Sequence, residues 1–312
     1  MNKLIIAAAA VLVGTSCERI IPFDAEQVDP VLVLYADINP NQTLKAHLSR
    51  TIGILDQGEP QRITDALVWA EDSLGNVLDT LRTDGNADGF YYSPLKPAAA
   101  QKVTIKAKWG ELPQVEGSAK GFALGGTFTM DSIGFNPGNG MFNMPYVLMR
   151  VTLQDDGVAG YYRLEFYEDQ TDTTWGQYPI FADSDDPLVL QPAFGGDFGE
   201  RIDFDNALFL GQTRSIEVKV FKWVSGTPTK LKISKLDEAT VQYERSLQAA
   251  QGGGGPFTQP VPIFSNVVGG IGLVLTFLRW VFEKIGNKTG MSWASKTGSW
   301  FSKVEHAWHH AE

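Results

Sequence analysis

Three kinds of side chain in this sequence could do chemistry. The first is a thiol. Cys17 is the only cysteine among 312 residues, so it can form no internal disulfide and no CxxC pair. What remains to it is nucleophilic or acyl chemistry. The second is carboxylate oxygen, with 36 Asp and Glu in the chain. Asp84, Asn86 and Asp88 alternate in DGNADG, the spacing of the first half of a calcium loop. Calcium needs six or more oxygens, and the helical loop closes with Glu at its twelfth position, where this sequence has Leu95. The competing reading is a β-turn rich in Asp, Asn and Gly. FADSDDP raises the same pair of readings with Asp183, Asp185 and Asp186. Glu165, Glu168 and Asp169, set among aromatic residues, could serve glycoside hydrolysis if another acid stood at the right distance. The third is imidazole. His47 is the only histidine before residue 300, so a Ser–His–Asp triad would have to use it, and no GxSxG elbow is present. A strand histidine facing outward is the expected role. His306, His309 and His310 could bind a transition metal, but they crowd one terminus. No catalytic constellation emerges, and apart from calcium no cofactor is expected.

Cys17 has a more specific setting. Lys3 begins the chain's charge, Leu4 to Val13 is uncharged and apolar, and Gly14, Thr15 and Ser16 are small. This is the grammar of a secretory signal, too short to span a bilayer permanently. A cysteine directly after the small residues resembles a bacterial lipobox, in which the thiol is acylated and the chain is cut before it. Residues 1–16 then form a lipoprotein signal peptide, and 17–29 a linker from the lipidated cysteine. Acyl chains add roughly 0.8 kcal/mol per buried CH2, so a soluble body is held at a membrane without a spanning helix. Glu18 is followed by Arg19, Ile20 and Ile21, which leaves the periplasmic and cell-surface faces both open.

The elements that must carry these residues are mostly strands. KVTIKAKW alternates: Val103, Ile105, Ala107 and Trp109 on one face, four polar residues on the other. Similar β-rich runs lie at 31–38, 43–55, 66–72, 77–83 and 89–95, separated by NPNQ, DQGEP, SLGN and DGNADG. A second series follows at 127–135, 146–155, 161–169, 188–194, 203–211, 215–223 and 229–236. In the strand 161–169, Tyr162, Leu164 and Phe166 should face the core. The fold class is therefore mainly β, with two antiparallel β-sandwich-like domains over 30–112 and 127–272. Residues 113–126 read as a linker. One helix is predicted near 237–251, capped by Asp237 or Ser234 and ended by GGGG. A proline- and glycine-rich return segment follows it.

The net charge of −10 becomes −11 once Lys3 leaves with the signal, 25 basic residues standing against 36 acidic ones. Such a chain is a poor partner for nucleic acid, whose binding rests on neutralising phosphates. Residues 273–312 form a Trp-rich tail. Trp293, Thr297, Trp300, Phe301, Val304 and Trp308 recur at steps of three and four, a helical stripe suited to membrane or partner contact, or to packing on the protein's own sheet.

Four features in order resemble one family: Cys17 with a short linker into PVLVLYADI; LSRT at Leu48 to Thr51; DDGVAGYYRLEFY with FADSDDPLVL and FDNALFLG; and VQYERSLQAAQ with PFTQPVPIFSNVVGGIG. Pro262, Ser265, Asn266, Gly269, Gly270 and Gly272 are the most specific part. The sequence is similar to the DUF4249 family of Bacteroidota outer-membrane lipoproteins, from about Cys17 to Gly272. The resemblance implies an immunoglobulin- or transthyretin-like first sandwich and a genetic association with TonB-dependent transporters. It implies no activity. The expected role is a lipid-anchored, non-enzymatic accessory or ligand-capture partner of such a transporter. An adhesin or envelope-structural module would need the same anchor, and a carboxylate-dependent hydrolase is the third reading.

Overall fold

The computed structural model describes residues 29–53, 56, 58–122, 127–138, 145–169, 177–190, 201–221, 229–252, 261–285 and 288–292. Cys17, Trp293, Trp300, Phe301 and Trp308 lie outside the described residues.

The protein is mainly β and forms two sandwiches. The first packs two four-stranded sheets face to face. One runs β17-β1-β2-β5 and the other β4-β3-β6-β7. Their strands are β1 (Leu32–Asp37), β2 (Lys45–Arg50), β3 (Leu67–Glu71), β4 (Val77–Leu81), β5 (Phe90–Tyr92), β6 (Lys102–Lys108), β7 (Val115–Lys120) and β17 (Ile271–Leu275). Alternation determines which side chains meet. Leu32, Leu34 and Ala36 from β1 face Val103, Ile105 and Ala107 from β6, all buried in one core. Val115 and Ala119 join that core from β7, inside the stretch read as a linker. Its four glycines and single apolar run hid a strand of period two.

The second sandwich sets a four-stranded sheet, β12-β15-β9-β8, against a larger one ordered β13-β14-β10-β16-β18-β19, with β11 also paired to β10. Its strands are β8 (Thr127–Asn136), β9 (Tyr146–Gln154), β10 (Tyr161–Asp169), β11 (Gln177–Ile180), β12 (Ala182–Asp183), β13 (Val189–Leu190), β14 (Arg201–Asp205), β15 (Thr213–Phe221), β16 (Thr229–Leu236), β18 (Phe277–Ile285) and β19 (Lys288–Ser292). Tyr162, Leu164 and Phe166 face inward as the alternation predicts, against Ile216, Val218 and Val220 of β15.

Two expectations need correction. The first is that the chain divides at residue 126 and again at 272. The return segment instead re-enters the first sandwich. Val268 bridges to Glu116 beside β7, and β17 then pairs in parallel with β1, Val33 opposite Ile271 through Asp37 opposite Leu275. The second concerns the tail. Its described part is sheet: β17 continues through one residue into β18, which pairs with β16 from Phe277–Leu236 to Lys284–Thr229. The helical stripe at 293–308 falls outside the described residues. The unbroken apolar run Ile271–Leu275 arises because β17 is covered on both faces, by the sandwich core and by a helix. Such runs carry no period that separates strand from helix.

That helix, α1 (Glu238–Gly252), lies close to the predicted position. Asp237 is its cap: the Asp237 Oδ1 accepts from Thr240 N at 2.8 Å and Thr240 Oγ1 at 2.6 Å. Ala239, Tyr243 and Leu247, spaced by four, lie on the outer face of the first sandwich against Val33, Tyr35, Leu273 and Leu275.

Candidate functional site: the seam between the sandwiches

Several chemistry-bearing side chains gather where α1, β1, β10, β16 and the β17–β18 crossover meet. The closing motif SNVVGGIG builds one side. Gly272 has φ 130° and a side chain there would place its Cβ 2.0 Å from the Leu34 carbonyl oxygen; at Gly270 the distance to the Leu32 carbonyl is 2.4 Å. Only bare backbone lets β17 lie against β1. The outer edge of β17 is then covered by the chain itself. Asn266 donates from Nδ2 to Val274 O at 2.6 Å and accepts from Val274 N at 2.9 Å. The Gly272 N–H donates to Ser265 Oγ at 3.1 Å. Side-chain amide and hydroxyl groups stand in for a neighbouring strand, which blocks further strand addition there. The motif most specific to the family resemblance is thus a lock for a strand.

Helix α1 ties this sandwich to the second. Arg163, on the outward face of β10, is nevertheless buried. It makes two bonds to Asp203, both 2.8 Å, and two to Glu244 of α1 at 2.9 and 2.6 Å. Burial disfavours the guanidinium charge, but the four charge-assisted bonds more than offset this and hold its pKa well above the ordinary value. Tyr161 OH donates to Glu238 Oε2 at 2.5 Å, and burial with that carboxylate pushes the phenol up to about 12.

Beneath the sheet lies a second charge cluster. The Lys235 ammonium is fully buried and donates to Asp155 Oδ1 at 3.2 Å, to Asp156 Oδ1, and to Val158 O at 2.7 Å. The Tyr162 and Phe122 rings flank it at 4.9 and 5.2 Å. Burial would raise Asp155, but donors from Gly211 N, Tyr162 OH, Asn206 Nδ2 and Gly157 N overrule it and hold the carboxyl at about 2. DDGVAG and FDNALFLG, noticed in the sequence as motifs, are the two turns pinned by this cluster. Lys235 was missed because it interrupts the apolar face of its strand; only its 0% exposure shows that the interruption is filled by two aspartates.

The other predicted candidates go elsewhere. Glu165 pairs with Lys232 at 2.7 Å and accepts from Tyr167 OH at 2.9 Å. Burial raises it, yet Lys232 and Tyr167 together bring it below the ordinary carboxylate value, which suits an anion rather than a proton donor. The side chains of Glu168 and Asp169 lie outside the described set. His47 is buried rather than outward, its ring 4.8 Å from Phe90 on the outer face of β2. Asp84 and Asn86 sit in an exposed turn between β4 and β5. Both Asp84 oxygens accept from Asn86, at 3.0 and 2.9 Å, and Asp88 Oδ1 accepts from Phe90 N at 3.1 Å. Those oxygens serve the turn. Among the described residues no group of three or more His, Cys, Asp or Glu could hold a metal ion. Asp185 pairs with Lys219 and Asp186 with Arg214, each at 2.7 Å.

The family model DUF4249, described as a domain of unknown function, matches residues 18–278. No curated protein matches the sequence. Among solved structures, the chain is similar to a DUF4785 family protein from Legionella pneumophila at 11% identity and TM-score 0.29, over 65% of this chain and 52% of that one. A Salmonella alpha-2-macroglobulin mutant overlaps at 12% identity and TM-score 0.25, over 71% of this chain and 14% of that one. Three N-terminal domains of the bacteriophage RB49 highly immunogenic outer capsid protein overlap at 10% identity and TM-score 0.23, over 67% and 64%. The chain spans about half the length of the first of these.

Proposed function

The chain belongs to the DUF4249 family, and from that premise we propose that it is a lipid-anchored, non-enzymatic protein of the bacterial outer membrane that serves a TonB-dependent transporter as an accessory or ligand-capture partner. The observation that carries the reading is the sequence ahead of the matched region. An apolar block and three small residues end in Cys17, and the family match begins at the next residue, Glu18. A thiol at that boundary supports acylation over catalysis in the body. No described helix is long and apolar enough to cross a membrane, so attachment falls to the lipid in this reading. Among the described residues, several carboxylates are paired: Glu165 with Lys232, Asp155 and Asp156 with Lys235, and Glu244 with Arg163.

Lipid labelling and membrane fractionation of the wild type and Cys17→Ala test the anchor. The wild type should take up labelled acyl chains and sediment with membranes, and the variant should do neither. Full membrane partition of the variant would overturn the assignment. Purification in mild detergent tests the partnership: recovery with a transporter barrel supports it, and recovery alone counts against it.

A further inference from the structure

We infer that the joint between the two sandwiches is a proton-operated clamp, closed while the Asp37 carboxyl carries a proton and loosened when it becomes an anion beside Asp237. The shortest of the chain's crossings between the sandwiches is one residue long. β17 ends at Leu275 in the first sandwich and β18 begins at Phe277 in the second, so Thr276 alone makes the crossing. Nothing in a one-residue connection takes up slack. Whatever holds Thr276 and Phe277 therefore holds one sandwich against the other.

Thr276 is fully buried and donates from Oγ1 to Ile38 O at 2.7 Å. Its N–H donates to Asp237 Oδ2 at 2.9 Å. The next amide, Phe277 N–H, donates to Asp37, and Asn39 Nδ2 reaches Phe277 O at 2.9 Å. Two carboxylates, one at the end of β1 and one capping α1, thus take successive amides of one strand and are drawn into the same small space. They are not equivalent there. Asp237 has three donors and the N-terminus of a helix, which favour its anion, while burial raises its carboxyl above the ordinary value. The Asp37 Oδ1 is sealed from solvent and accepts no hydrogen bond. An anion at Asp37 would be poorly solvated beside a like charge, whereas the neutral acid is tolerated. Burial first, then the Asp237 charge, raise Asp37 to about 8, with the Phe277 N–H pulling the other way.

The other titratable and charged groups that the described elements bring to this face are Tyr35, Tyr243, Lys45, His47 and Glu238. Tyr35 lies beside Asp37 on β1, and burial raises its phenol well above the ordinary value. Tyr243 lies across from it on α1. Lys45, opposite Asp37 on β2, holds its ammonium 3.7 Å from the Phe90 ring centroid. His47 packs on the same ring, and Glu238 accepts from Tyr161. The charge that adds to burial in raising Asp37 is that of Asp237.

The sign follows from proton binding. The folded state holds a proton on Asp37 that the unfolded chain has released, so stability is fully present below about pH 4 and falls as pH rises to about 8. The test uses the mature chain, with urea unfolding at pH 6 to 9.5 and deuterium exchange of peptides spanning 271–285, corrected for intrinsic rate. The difference between wild type and Asp37→Asn isolates the site. Relative to that variant, the wild-type unfolding constant should rise about tenfold per pH unit up to about pH 8 and then level, as expected for one linked proton. Exchange at the crossover should rise over the same range only in the wild type. Asp237→Asn keeps a capping side chain but removes the charge, so it should move the step to lower pH. His47→Gln should leave the step in place. Parallel wild-type and Asp37→Asn profiles, or a step abolished by His47→Gln, would overturn the clamp.

Discussion

Closure of the first sandwich depends on a close approach of two backbones, and Gly272→Ala tests it directly. The added Cβ would lie 2.0 Å from Leu34 O and 2.8 Å from Leu34 C and N, all backbone atoms that cannot rotate away. Ordinary contact begins near 3.4 Å, so β17 must withdraw from β1 by about 1.4 Å. Inter-strand bonds near 2.9 Å cannot survive that displacement. The ladder joins five residue pairs, from Val33–Ile271 to Asp37–Leu275. Losing most of its hydrogen bonds at about 1 kcal/mol each gives about 3–5 kcal/mol, before any loss of packing at Leu273 and Val274. A control separates this clash from backbone strain. Gly58 has nearly the same torsion, φ 136° against 130°, and nothing within 4 Å of its added Cβ. Gly58→Ala should therefore cost only the strain, about 1–2 kcal/mol. Urea unfolding of both variants against wild type measures the two costs. Equal losses would show that torsion alone matters, and a Gly272→Ala loss under about 1 kcal/mol would refute the closure argument.

Three further outcomes follow from the charges and the strand order. Lys235→Met should destabilise by about 3–5 kcal/mol in urea because it strands Asp155 and Asp156 in the core, and adding Asp156→Asn should recover part of the loss. Asp155 is held below its ordinary value, so its contribution is present above about pH 4 and is lost as pH falls toward about 2; acid titration of wild type should show roughly 2 kcal/mol of loss there that Asp155→Asn lacks. Ending the chain at Gly270 removes β17, β18 and β19 and leaves the edges of β1 and β16 unpaired, so such a chain should be recovered in inclusion bodies; a soluble protein with native circular dichroism would contradict the need for these strands.

Much of the β architecture was legible because most strands have one buried and one exposed face. KVTIKAKW and YYRLEFYED show it best: their alternate residues enter the two cores as read, and only Arg163 departs, buried on the outer side by Glu244. Asp237 as cap and α1 as helix were legible for a similar local reason. The short strands β11, β12 and β13 illustrate the limit, since two to four residues carry too little pattern to predict bounds or partners. The candidate site was less legible than the fold. Asp37 reads as an ordinary strand-end acid, Thr276 as a polar break in an apolar run, and Lys235 as a polar break in the apolar face of its strand.

The division has a physical cause. Composition, period and the order of apolar, small and thiol residues are properties of neighbouring positions, and they determined the β class, the helix and the expectation that Cys17 anchors the chain. Partners far apart in sequence are different. That Leu34 receives Gly272, that Glu244 neutralises Arg163, and that Asp37 and Asp237 share one crossover depend on where distant segments meet. Burial then sets the protonation of those groups, because the cost of a charge is decided by the solvent and dipoles around it and not by its neighbours along the chain.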